Sequence, residues 1–174
     1  MREHIEQAVA RELGATKNVI RDALDYRLFL DYESIRSQKL DVNTVKRIIV
    51  ETAMKEKDCV YATACDDVAT AAIPQMLRER MLMGYYPGRS GDIYFVVKPS
   101  HYEFGSWSSP TGTTHGAWNP YDAHIPCLFL GWKVKHGATS REVHINDIAP
   151  TVCQMLHIQQ PDACTGEPIT EITR

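Results

Sequence analysis

The chain has 174 residues, with 19 Lys and Arg against 22 Asp and Glu, a formal net charge of −3, and 44% hydrophobic and 24% charged residues. That length fits one ordinary domain with a small appendage and can bury a core, and the composition excludes a disordered or fibrous chain. The basic residues are scattered and the pI is near 6.1, which excludes a broad positive face for a nucleic-acid scaffold. No stretch approaches the roughly 18 consecutive apolar residues of a membrane span, and Met1-Arg2-Glu3 does not read as a signal peptide.

Ile5, Val9 and Leu13 recur at steps of four before Gly14, which predicts an amphipathic helix over 1–13. Residues 18–20 and 26–31 are short β-prone runs and predict a hairpin turning near Asp22. Asp41 is placed to cap a helix over 42–55, with Val45, Ile48, Ile49 and Thr52 on one face. A strand follows at 59–63, then helical stretches opened by Asp66-Asp67 and by Pro74, the second ending at Gly84.

The second half changes character, with frequent Gly and Pro. Residues 92–98 and 125–130 are near-continuous apolar runs, predicting strands buried on both faces in a sheet covered by helices. The loop between them, 99–124, is too long for a compact domain unless it carries function. Asp147 is placed to cap a last helix over 148–156, whose Ile148, Val152, Met155 and Leu156 would cover the sheet. None of the five cysteines forms a C-x-x-C pair. Cys127 reads as a small buried hydrophobe, and Cys153 and Cys164 can pair only if the chain doubles back after the last helix.

Within the long loop stands Gly112-Thr113-Thr114-His115-Gly116, with Tyr121, Asp122 and His124 close by. A histidine so framed can ligate a metal, act as a general base, or tie down a loop by hydrogen bonds, and isolated loop histidines most often do the last. His124 reads as a hydrogen-bonded structural group or as one that orients a neighbouring ligand. Zinc needs three or four ligands and no cluster in the sequence supplies them. His144 and Asp147 could share a cation, although the capping role already accounts for Asp147. Arg89, in the turn 87–91, could bind an anion, but the turn lacks the Gly-Lys-Ser/Thr of a Walker loop. Phe104-Gly105-Ser106-Trp107-Ser108 lacks the closing glycine of a nucleophile elbow. Trp107, Trp118, Tyr121 and Trp132 read as core or rim.

Taken in order, Tyr86-Pro-Gly-Arg-Ser-Gly-Asp-Ile-Tyr-Phe-Val-Val-Lys-Pro99, Gly-Thr-Thr-His-Gly, Tyr-Asp-Ala-His-Ile-Pro-Cys-Leu-Phe-Leu-Gly and Asp-Ile-Ala-Pro-Thr-Val resemble the C-terminal part of the alkaline phosphatase superfamily. The likeness is sharpest over 111–130 and points to the type I phosphodiesterase and nucleotide pyrophosphatase branch, in its bacterial single-chain form. It implies an α/β fold: part of an α/β/α sandwich at 85–174, with a small α/β cap subdomain at 1–84. It also implies hydrolysis of small-molecule phosphate esters through a phosphothreonine formed between two zinc ions, with His115 as one zinc ligand. The family's nucleophilic threonine, its Asp-His-Gly pair, its other metal ligands and its phosphate-holding Lys and Arg have no counterpart in this chain. The resemblance therefore leads us to expect a C-terminal fragment that is inactive alone, binds no zinc stably by itself, dimerises over an uncovered sheet edge, and derives from an exported, periplasmic parent. The competing expectation is a free-standing, non-enzymatic binding module that keeps part of the fold.

Overall fold

The structure, a computed structural model, describes residues 1–102, 112, 116–131 and 133–172. It is mixed helix and sheet, the α/β class expected, and divides into two compact units, Met1–His124 and Ile125–Arg174.

In the first unit, α1 (Arg2–Leu13) buries Ile5, Ala8 and Val9, the i, i+3, i+4 stripe of an amphipathic helix. Gly14 ends it at φ 70°, a left-handed position that a Cβ would strain, and donates its N–H to Ala10 O. β1 (Ile20–Leu24) and β2 (Arg27–Leu30) form the expected hairpin, but the turn falls at Asp25-Tyr26, with the ladder slipping between Ile20 and Asp22. Both turn residues have positive φ (51° and 60°), the mirror-image geometry that suits a two-residue hairpin loop. The signal near Asp22 marked the irregularity and not the turn.

Asp31 caps α2 (Tyr32–Ser37), and Asp41 caps α3 (Val42–Ala53) by accepting from Thr44 N at 2.7 Å. That bond from the Thr44 amide holds the Asp41 carboxyl below its usual range. α3 buries Val45, Ile48, Ile49 and Ala53. β3 (Cys59–Ala64) runs into a 3-10 turn at Cys65–Asp67, where a helix was expected, and α4 (Gln75–Met83) follows Pro74. β4 (Ile93–Val97) completes an antiparallel sheet of order β1-β2-β4-β3.

β4 is buried on both faces, as its apolar run predicts. Ile93 and Phe95 join α1, α3 and β2 in one core, while Tyr94 and Val96 join Leu77 and Met81 of α4 in a second. The pleat thus sends alternate side chains of one strand into two cores.

The second unit corrects several expectations. Residues 125–130 form no strand: Leu128 and Leu130 are 89% and 101% exposed, and Cys127 is exposed too. A strand is defined by its ladder partners, and among the described residues none pairs with this run. α6 (Ile148–Leu156), which follows the short α5 (Pro120–Ala123) in the chain, buries Pro150, Thr151 and Cys153, and leaves Ile148, Val152 and Leu156 on its open side. Asp147 does not cap it with its side chain. Its carboxylate accepts from His144 N (2.8 Å) and Glu167 N (2.9 Å), and its carbonyl accepts from Thr151 Oγ1 (2.6 Å). Cys153 and Cys164 are free thiols. No helix among the described residues is long and apolar enough to cross a membrane.

Candidate functional site around the Gly112–Gly116 motif

His115 itself, with Thr113 and Thr114, lies outside the described residues, as do Ser106, Trp107 and Trp132. Gly112 and Gly116 take φ 129° and 96°, backbone that L side chains rarely adopt, which accounts for both framing glycines. After Gly116, Ala117 N donates to Asp122 Oδ2 at 2.6 Å, and Arg80 Nη1 of α4 donates to Trp118 O at 3.1 Å. The Trp118 ring meets Tyr94 edge to face, centroids 6.1 Å apart. At the other end of the loop, Ser100 N donates to Tyr121 Oη at 2.8 Å, so Tyr121 ties together the two feet of the segment. Tyr121 and Asp122 lie on α5, which starts with proline at its first turn.

The remaining candidates stand apart from this group. His124 is exposed. His144 and Asp147 form a reciprocal cap within the second unit. Arg89 lies over the Tyr86 ring at 5.9 Å. Among the described residues no three His, Cys, Asp or Glu side chains converge to hold a metal ion. The described residues therefore do not fit a zinc site on their own.

The sequence reading missed an ionic network beside α3. Lys46 Nζ reaches Asp66 Oδ2 at 2.5 Å, and Tyr85 Oη donates to Asp66 Oδ1 at 2.8 Å. The Lys46 ammonium, and next the Tyr85 hydroxyl, hold the Asp66 carboxyl below its usual range, while that same bond pushes Tyr85 up to about 12. Burial pushes the neighbouring Cys65 thiol up to about 12, leaving it protonated and unreactive near neutrality. Lys46 and Asp66 line a cleft of about 540 Å³ with Asn43, Arg47, Thr63 and Asp67. Asp66 was read as a helix start, and nothing in its spacing from Lys46 or Tyr85 announces the contact.

Among known proteins, the chain is 36% identical over 172 residues to alkaline phosphatase PafA of Elizabethkingia meningoseptica, covering 99% of this chain and 31% of that protein. It is 36% identical over 171 residues to a calcium-transporting ATPase of Myroides odoratus, covering 98% of this chain and 31% of the relative. Alkaline phosphatase PhoV of Synechococcus elongatus is 36% identical over 151 residues, 87% of this chain and 27% of that one. The crystal structure of wild-type alkaline phosphatase PafA matches with a TM-score of 0.89 at 35% identity, covering 100% of this chain and 33% of that chain. No family model matches. The chain is alkaline-phosphatase-like in sequence and fold, and it spans less than a third of the length of the curated relatives it matches.

Proposed function

We propose that the chain is the C-terminal portion of a zinc-dependent phosphohydrolase that cleaves small-molecule phosphate esters through a covalent phosphothreonine, and that it is inactive by itself. The observation that carries this reading is the likeness to alkaline phosphatase PafA along 99% of the chain, matched by the fold at TM-score 0.89. In this proposal residues 1–84 belong to a cap beside the active site, residues 85–174 complete the catalytic domain, and the parent is periplasmic or secreted. His115 is one metal ligand, and the others lie outside this chain. When bound, the two ions would lower the pKa of the nucleophile and neutralise the phosphoryl group.

The exposed apolar run 125–130 supports the incomplete-domain reading, because apolar chain that finds no ladder partner among the described residues is a surface made to be covered. The test is hydrolysis of p-nitrophenyl phosphate with and without zinc. We expect no zinc-stimulated turnover from the 174-residue chain, and turnover from the protein extended upstream. In that longer protein His115→Ala should cut activity by orders of magnitude and lower zinc content with the fold retained. Zinc-dependent turnover by the short chain that survives repurification, or normal activity of His115→Ala, would sink the reading.

A further inference from the structure

The four-stranded sheet of the first unit ends in β1 on one side and β3 on the other. β1 carries Arg21 and Asp22 and a slipped register, features that blunt a strand edge against further pairing. β3 reads Cys-Val-Tyr-Ala-Thr-Ala, without a charge or a proline, and its irregularity falls before Tyr61, leaving 61–64 in regular pairing with β4. Cys65 N donates to Asp92 O at 2.8 Å, and the same register sets Thr63 opposite Tyr94. Hydrogen-bonded pairs recur at every second residue of an antiparallel ladder, so Thr63 turns its main-chain groups to β4 while Ala62 and Ala64 turn theirs outward. Among the described residues neither outward amide meets an acceptor, and of the two carbonyls Ala64 O alone is engaged, by the Thr63 hydroxyl at 3.2 Å.

A hollow adjoins β3 on each face of the sheet. On the α3 face, the cleft of about 540 Å³ reaches Thr63 and Ala64. Its Lys46 is paired with Asp66 and its Arg47 with Glu51, so the Asp67 carboxylate is the one charge there without a partner among the described residues. On the α4 face, a pocket of about 230 Å³ reaches Val60 and Tyr61 and is walled by Leu77, Val97, Pro99 and Trp118, an almost wholly apolar lining.

We infer that the outer edge of β3 docks an extended segment of another protein, added as a fifth strand. Main-chain bonds to Ala62 and Ala64 hold the segment, and its successive side chains point to opposite faces. It therefore alternates apolar residues, which enter the pocket on the α4 face, with lysine or arginine on the α3 face, where Asp67 meets the charge. The β3 of a second copy carries no such cation. The inference stands apart from the hydrolase reading, because none of these residues belongs to the proposed metal site.

The probe is the capped heptapeptide acetyl-Ser-Val-Lys-Val-Lys-Val-Ser-amide, titrated into the 15N-labelled 174-residue chain. At saturation, exchange at the Ala62 and Ala64 amides should slow by about tenfold or more, while the amides of β1 keep their rates. Methylating the three valine amides and, separately, the two lysine amides blocks one edge of the peptide at a time. One of these two peptides should bind at least about tenfold more weakly than the other. Asp67→Asn, at an exposed position, should weaken binding about threefold. Ala62 and Ala64 left unprotected at millimolar peptide, equal affinity for the two methylated peptides, unchanged affinity in Asp67→Asn, or equal binding of a glutamate-for-lysine peptide would each overturn the inference. So would an Ala62 amide protected in the free chain and released on dilution, which gives the edge to a second copy. Loss of peptide binding in the protein extended upstream would also overturn it, giving the edge to that protein's own chain.

Discussion

Asp147 shows how one buried carboxylate can organise a small unit. It is 6% exposed, and burial alone would raise its pKa, but the amides of His144 and Glu167 pointing at it bring it below the ordinary 3.8. A group whose folded pKa is depressed contributes stability that is fully present above its unfolded value and is lost as pH falls through the lower folded one. Asp41 and Asp66 are shifted in the same direction. Stability should therefore be level from neutral pH down to about pH 5 and fall below about pH 4. Asp147→Asn should flatten that acid limb for the Ile125–Arg174 unit, read by exchange at the Glu167 amide across pH. An unchanged limb would show that these two amides do not depend on the charge. Asp147→Ala, which leaves two donors without an acceptor, should cost the unit about 3 kcal/mol.

At the scale of elements, the residues that cap and stripe helices could be read from the sequence because their partners are three or four positions away. Asp41 with Thr44, the α3 face of Val45, Ile48 and Ile49, and the Gly14 stop of α1 all emerged as expected. Asp147 defeated the same rule, since its second partner, Glu167, lies far along the chain and the capping pattern looks identical whichever way the side chain turns. The tail that brings Glu167 there is held by Ile169 N donating to Thr151 Oγ1 at 2.8 Å and by the Arg141–Glu171 pair at 2.7 Å. It passes so close to the 3-10 turn Ile145–Asp147 that a Cβ on Gly166 would sit 2.1 Å from Asn146 O, a backbone atom that cannot step aside. Gly166→Ala should destabilise this unit by roughly 3 kcal/mol, measured as a lower urea midpoint, while Gly137→Ala, with open space around it, should change little. Equal midpoints for the two variants would contradict the close approach.

At the scale of the whole chain, the sequence identified which segments are apolar but not whether a partner exists to cover them. The runs 92–98 and 125–130 look alike, yet the first gained β2 and β3 as neighbours and the second has none among the described residues. The same is true of α6, whose pattern fits burial of either Val152 or Cys153. We propose that the isolated chain pairs with a second copy through these uncovered residues. Sedimentation should show a dimer at micromolar concentration, with Leu128→Lys/Leu130→Lys shifting it to monomer and reducing binding of an apolar dye. A monomeric parent chain would contradict this. The motif was legible in outline: the glycines about His115 and the nearby Tyr121 and Asp122 drew notice, but Arg80 did not, because a residue that acts from a distant element leaves no local spacing to detect.

The same distance bears on how the chain folds. Arg80 and Trp118 close a loop of 38 residues, and such contacts are made only after their entropy cost has been met by the elements in between. α4 and β4 must each be in place before Trp118 is held, so this stretch of the chain is among the last to settle. A mutation that slows the packing of α4 on β4 would delay the placement of Trp118 without altering any residue beside it.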